Sequence, residues 1–330
     1  MKAIVDDKIP YIRGQIEQLV DQVTYIPGSA ISPTDVRNAD ILIVRTRTRC
    51  DAHLLEGSAV KLIVTATIGF DHIDTDYCTS HGIEWTNCPG CNARSVCCYV
   101  INSLRLLGKL QQGLTIGIVG VGHVGTLVAS AASQHGMRPL LCDPPRRDAG
   151  SFVDGLPFVS LSDIASEADI ITFHTPLTTQ GLYSTYHMAD APFFRSLQKR
   201  PVIINASRGA VVDNGALLSA VRSGMVADAV VDTWEGEPSH IDPDLLSVCA
   251  VATPHVAGYS ADGKANATRM SLSAVARFLG RDFMPSIVLP DAGLLSVETL
   301  YDDTRKMKLN PQQFEYMREH YPTRREPTTI

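Results

Sequence analysis

Three polar residues follow short apolar runs in the second half of the chain. Arg208 lies in Asn205-Ala206-Ser207-Arg208-Gly209, just after the run 202–204. Glu237 closes the stretch that starts at Asp232, after the run 226–231, and Pro238 follows it. His255 lies in Thr253-Pro254-His255-Val256-Ala257-Gly258-Tyr259, after the run 249–252. An imidazole has the intrinsic pKa of a base for a hydroxyl proton. A carboxylate beside it orients the ring and favours the imidazolium that forms. A guanidinium grips a carboxylate in a two-pronged fork and polarises a neighbouring oxygen. Together these groups are what hydride removal from a 2-hydroxy acid requires. Taken singly, each has a plainer reading: a surface arginine, a structural histidine, a loop carboxylate. What sets the three apart is their order on successive strand ends, where such sheets bind ligands, downstream of a nucleotide fingerprint.

That fingerprint is Gly120-Val121-Gly122-His123-Val124-Gly125, a G-x-G-x-x-G. It follows an apolar strand at 115–119 and opens a helix at 124–134. Asp143 ends the next strand, eighteen residues after Gly125. Gly120 permits the turn, Gly122 lets backbone approach a pyrophosphate, and Gly125 lets the helix pack on the strand. The N–H groups at the helix start, around His123 and Val124, face the phosphates. Asp143 accepts from the adenosine ribose hydroxyls and repels a 2′-phosphate, so the expected cofactor is NAD. Arg146 and Arg147 nearby soften that discrimination.

The elements around these residues alternate. Residues 3–5, 41–44 and 62–64 read as buried strands, and 11–20 has helical apolar spacing. A helix is expected at 93–107. Further strands fall at 139–142, 169–173, 202–205, 226–231 and 249–252. Asp213 caps a helix that Gly224 ends, and a closing helix spans 264–279. Alternation of this kind implies α/β architecture with parallel sheets. The expected fold is two doubly wound domains, Rossmann-like and flavodoxin-like, plus a short C-terminal segment.

Composition excludes several classes. The chain has 330 residues, 45% hydrophobic and 19% charged, and a net charge of −6. That is a globular, mildly acidic protein without the basic stripe of a nucleic-acid binder. The N-terminal residues become charged too soon for a signal peptide. The weakly charged run 114–133 carries the glycine turn and His123, so strand, turn and helix explain it better than a membrane span. Cys88 and Cys91 form a C-x-x-C, but no second pair stands at matching spacing, so no metal is expected. Reduced thiols and a cytoplasmic location are the expectation for the eight cysteines.

The blocks His174-Thr175-Pro176-Leu177, Asn205 through Gly209, Asp232 through Pro238 and His255-Val256-Ala257-Gly258 resemble the D-2-hydroxyacid dehydrogenase family. The resemblance makes Arg208, Glu237 and His255 the catalytic set. It adds Thr175, Asp232 and Gly258 as cofactor contacts, and Ser207 joins them. Within the family the likeness is closer to the members that oxidise 4-phospho-D-erythronate on the route to vitamin B6. Thr65 through His72, Pro89-Gly90-Cys91-Asn92-Ala93, Leu141 through Arg146 and Tyr259 through Ala265 carry it. A phosphorylated substrate needs anion capture, and Arg45-Thr46-Arg47-Thr48-Arg49 supplies it. Were that run extended, alternation would put its arginines on one side. A solvated basic stretch is the plainer reading of the same run. The resemblance makes Thr46, Thr67 and Tyr259 substrate contacts, and Arg45 and Arg47 join them as the anion-binding residues of the basic run.

The implied organisation is a substrate-binding domain of 1–92 with 283–290, an NAD-binding domain of 93–282, and a shortened dimerisation segment of 291–330. A homodimer acting on a small phosphorylated 2-hydroxy acid follows, with neither nucleic acid nor membrane as partner. Two departures from the family stand out: Cys98 where an acidic residue is common, and few residues after Pro290. Two rival readings remain open. One is a relative acting on 3-phosphoglycerate, glyoxylate or hydroxypyruvate. The other is an NAD-sensing binding protein without catalysis.

Overall fold

The computed structural model describes residues 1–153 and 155–329, and they form two compact units. The first comprises Met1–Asn92 and Ser260–Asp291, the second Ala93–Tyr259 and Ala292–Ile330.

The first unit holds β1 (Lys2–Asp6), β2 (Gln22–Ile26), β3 (Ile41–Val44), β4 (Leu62–Thr65) and β5 (Glu84–Thr86). Their order is β2-β1-β3-β4-β5, with every pairing parallel. This is the flavodoxin-like order. Strands β3 and β4 are unbroken apolar runs because helices cover both faces. Ile41 and Ile43 enter one core cluster with Val5 and Val64, while Leu42 and Val44 enter the other with Ile4 and Ile63. At the edge, β2 alternates exposed and half-buried positions instead.

Two expectations change here. The 11–20 stretch forms only a single 3-10 turn, Ile16–Gln18. Tyr11 and Gly14 adopt positive φ and interrupt the helix, yet Ile12, Ile16 and Leu19 remain buried. The closing helix, Ala261–Phe278, belongs to the first unit, so residues 260–282 leave the expected 93–282 block. Its Leu272, Val275 and Ala276 pack into the β1–β3–β4 core, and Thr268 Oγ1 donates to Pro10 O at 2.7 Å. An amphipathic helix advertises an apolar face but not which sheet that face will meet.

The second unit holds β6 (Thr115–Val119), β7 (Arg138–Cys142), β8 (Ile170–Phe173), β9 (Val202–Asn205), β10 (Asp228–Val231) and β11 (Val251–Ala252). They are ordered β11-β10-β9-β8-β6-β7, all parallel. Beyond β7 the next strand of a Rossmann sheet is reduced to one parallel bridge, Leu141 with Phe158. The helix Ala93–Leu106 buries Val96, Tyr99, Val100 and Leu104 against one face.

The C-terminal residues, expected as a dimerisation segment, pack onto the second unit. The helix Val297–Leu309 lies along β11, and Thr304 Oγ1 accepts from Ala252 N at 3.1 Å. Leu300, Met307 and Phe314 are buried in the cores of this unit. The edge strand is thereby covered, as short exposed edges usually are.

Among the described residues no helix is long and apolar enough to cross a membrane. All eight cysteines are buried thiols without disulfides. Cys88 Sγ lies 3.2 Å from Ala267 O and 3.4 Å from Thr65 O, and burial pushes its pKa up, as for a small core residue.

Candidate active site

The second unit gathers its sequence-predicted residues at the carboxyl end of one sheet. Asp143 follows β7, the glycine loop β6, Thr175 β8, Ser207 and Arg208 β9, Asp232 and Glu237 β10, and His255 and Gly258 β11. Parallel strands present all their carboxyl ends on one side, where ligands bind.

The loop geometry suits a pyrophosphate. Gly120 has φ +86, and a Cβ there would meet the His174 carbonyl at 2.8 Å. A Cβ on Gly125 would lie 2.1 Å from Gly120 O, so helix His123–Gln134 could not seat with any larger residue. Nothing lies within 4 Å of a Cβ on Gly122, which leaves that backbone approachable. Asp143, expected at the ribose, is already engaged. It accepts from Val121 N at 2.8 Å and from Arg146 N at 3.1 Å, tying the loop to β7. Arg146 returns a bond to Val121 O and reaches over the Phe158 ring, 5.7 Å from its centroid. Thr175 Oγ1 is buried without a hydrogen-bond partner, an unusual cost that a bound amide or hydroxyl would remove. The residues present therefore fit a dinucleotide. Ser207 is already engaged, its hydroxyl donating to Asn205 Oδ1 at 2.8 Å.

Arg208 is fixed through its turn. Asn205 Nδ2 donates to Arg208 O at 3.0 Å, and Arg208 Nη1 donates to Ser207 O at 2.8 Å. Gly209 brings the turn against the backbone of Trp234, where a Cβ would clash at 2.2 Å. That close approach couples the arginine turn to the loop bearing Glu237.

Glu237 and His255 meet directly, Oε1 to Nδ1. Glu237 Oε2 accepts from Trp234 N at 2.8 Å, and a cis peptide joins it to Pro238. Burial pushes the Glu237 pKa up, but the bonds and charge from His255 and the Trp234 N–H outweigh it, leaving it below the ordinary value. The carboxylate thus engages Nδ1 of the ring rather than Nε2.

His255 has φ +57, a left-handed conformation that only strong surroundings maintain. Asp232 supplies part of them. It is 1% exposed and accepts from Thr253 Oγ1 at 2.6 Å, Val256 N at 2.8 Å and Ala257 N at 2.9 Å. Burial raises its pKa despite those bonds. Expected as a cofactor contact, its carboxylate here organises the histidine loop. Tyr99, fully buried on helix Ala93–Leu106, extends the chain, its hydroxyl 2.8 Å from Thr253 Oγ1.

The predicted substrate residues 45, 46, 47 and 67 lie in the first unit. The run 45–49 is a tight turn rather than extended, with Thr48 N donating to Arg45 O at 3.2 Å. Thr48 Oγ1 pulls it inward by donating to Gly28 O at 2.8 Å. The three arginines therefore do not share one side by alternation. Arg45 pairs with fully buried Asp6 (Nε to Oδ2, 3.1 Å), and Arg49 with Asp51 at 2.8 Å. Thr46 and Arg47 are exposed. Thr67 Oγ1 donates to Gly69 O at 2.9 Å and lies 2.7 Å from Thr65 Oγ1, which is 3.0 Å from His72 Nε2. Tyr259, half-buried, is in the second unit, edge-on to Tyr321 with centroids 6.3 Å apart. Sequence reasoning did not single out Asp6, Tyr99 or Thr253, whose roles depend on partners far away in the chain.

The chain belongs to the D-isomer specific 2-hydroxyacid dehydrogenase family. The model of that family's NAD binding domain matches residues 97–257. Among its relatives, the erythronate-4-phosphate dehydrogenase of Bacteroides thetaiotaomicron is 50% identical over 342 residues, covering 99% of this chain and 97% of that protein. The enzyme of the same name from Porphyromonas gingivalis is 44% identical over 352 residues, covering 99% and 94%. The fold is also that of D-lactate dehydrogenase from Aquifex aeolicus, solved with NAD and lactic acid. That similarity has a TM-score of 0.67 at 24% identity, over 85% of this chain and 96% of the other.

Proposed function

We propose that this chain oxidises the C2 hydroxyl of 4-phospho-D-erythronate to 2-oxo-3-hydroxy-4-phosphobutanoate, with NAD, in pyridoxal 5′-phosphate (vitamin B6) biosynthesis. The observation that carries it is the His255–Glu237 pair on adjacent strand ends, in a chain half identical to an erythronate-4-phosphate dehydrogenase. A protein that merely senses NAD has no use for such a pair.

NAD, held by the glycine loop and Thr175, supplies the two-electron acceptor. His255 Nε2 takes the proton of the C2 hydroxyl, and Glu237 stabilises the imidazolium that results. Arg208 binds the C1 carboxylate and polarises the C2 oxygen. Arg47 and Thr46 receive the phosphate. Arg45, braced by Asp6, fixes the turn that carries them, and Thr67 and Tyr259 contact the sugar acid. Asp143 favours NAD over NADP.

Steady-state reduction of NAD with a panel of 2-hydroxy acids tests this. The 4-phosphorylated acid is expected to exceed its unphosphorylated analogue in kcat/KM by about a hundredfold, the scale of one lost charge-assisted contact. No turnover with any acid sinks the enzyme reading, and preference for 3-phosphoglycerate or glyoxylate sinks the substrate. We further place the protein in the cytoplasm, since eight buried thiols suit a reducing compartment. A homodimer follows from the family resemblance, and light scattering checks it.

A further inference from the structure

The histidine loop is gripped from two sides, and the second grip comes from the C-terminal segment. Arg324 is 6% exposed. Its Nη2 donates to Val256 O at 2.7 Å and to Ala257 O at 2.8 Å, and lies 3.2 Å from Ser95 Oγ. Ser95 Oγ itself donates to Ala257 O at 2.7 Å. The N–H groups of the same two residues go to Asp232. So the two residues after His255 have their N–H groups held by an anion and their carbonyls by a cation. The arginine is anchored in turn: Nη1 donates to Tyr321 OH at 3.1 Å, and Tyr321 OH donates to Asp303 Oδ2 at 2.7 Å on the helix along β11. A guanidinium buried against backbone carbonyls is a costly arrangement that a loop of ordinary conformation would not need. This loop carries a non-glycine residue at φ +57.

We propose that Arg324 is a positioning residue for catalysis, holding the loop that aims His255 at Glu237, so that the C-terminal segment is part of the catalytic apparatus. The proposal rests on His255 being the base.

Arg324→Lys keeps the charge and loses the fork. Its kcat is expected to fall about thirtyfold, in line with the cost of slight misplacement of a reacting group. The Kd for NAD, read by fluorescence quenching, should stay within about threefold, since the glycine loop is untouched. The KM for the acid should change less than about threefold, so that the loss falls on kcat. Ser95→Ala, which removes the lesser contact, should lower kcat about threefold, the worth of one hydrogen bond. A fall in Tm with kcat unchanged in both variants overturns the proposal. If Arg324→Lys does not fold, Ser95→Ala decides on the same readouts. His255→Ala run in parallel separates the two layers: if it retains full kcat, the base assignment fails. If it is inactive while both other variants are normal, only the role of Arg324 fails.

Discussion

Two histidine–glutamate pairs share the loop after β10, and their surroundings differ. His255 pairs with Glu237 and His187 with Glu235, the latter at 2.7 Å from Nε2. Both histidines have positive φ, +57 and +49. They differ in what the second ring nitrogen meets. In His187, Nδ1 lies 3.8 Å from Asp213 Oδ2, and the ring stacks on Tyr186 with centroids 4.0 Å apart. Its backbone N–H donates to Ala210 O at 2.8 Å. His187 is thus a clasp between the turn after Arg208 and the Glu235 loop. His255 gives Nδ1 to the half-buried carboxylate of Glu237, and this is the pair we propose as the base and its partner. The same two residue types thus form a brace in one place and, in the proposed mechanism, a base and its partner in the other.

The comparison breaks most clearly in turnover. His255→Gln is expected to lower kcat/KM about a thousandfold, within the range for losing a general base, while His187→Gln stays within about threefold. Equal losses from the two would erase the distinction. Glu237→Gln should cost about a hundredfold in the same assay. Because the Glu237 pKa is depressed in the folded chain, its stabilising contribution is present above the ordinary carboxylate pKa. It is lost as pH falls through the depressed value. Glu237→Gln should therefore flatten the acid end of a Tm–pH curve.

A third histidine sharpens the contrast. His174 is half-buried, bonded to Thr172 Oγ1 at 2.9 Å, and desolvation of its ring pushes its pKa down from 6.5 to about 3. The unfolded chain takes up this proton near pH 6.5, and the folded chain does not until about pH 3. Stability is therefore full above pH 6.5 and declines as pH falls towards 3. His174→Asn should reduce the loss of Tm between pH 7 and pH 5, as read by thermal melts. The smallest effect is expected for His187→Gln on stability, about 1 kcal/mol or less, because its ring is partly exposed.

What the sequence disclosed was local in nature. Val202–Asn205 and Thr115–Val119 are strands by composition, and Gly120 to Gly125 declares its turn by spacing alone. The order Arg208, Glu237, His255 is legible because parallel strands place successive carboxyl ends together. What stayed hidden depended on distant partners. Nothing in 45–49 announces that Thr48 will reach back to Gly28, which turns an alternating run into a bend. The apolar face of Ala261–Phe278 fits either sheet on paper. Arg324 looks like any arginine near a chain end until Val256 and Ala257 are seen beneath it.

Asp143 constrains how cofactor choice can be re-engineered. The usual route from NAD to NADP removes the acid at this position. Here the same carboxylate is the strap of the glycine turn, accepting from Val121 N and Arg146 N. Asp143→Ala should slacken that turn and weaken binding of both dinucleotides, which isothermal titration would show. A redesign that retains the acceptor, such as Asp143→Asn with Arg147 recruited to the added phosphate, is the better starting point.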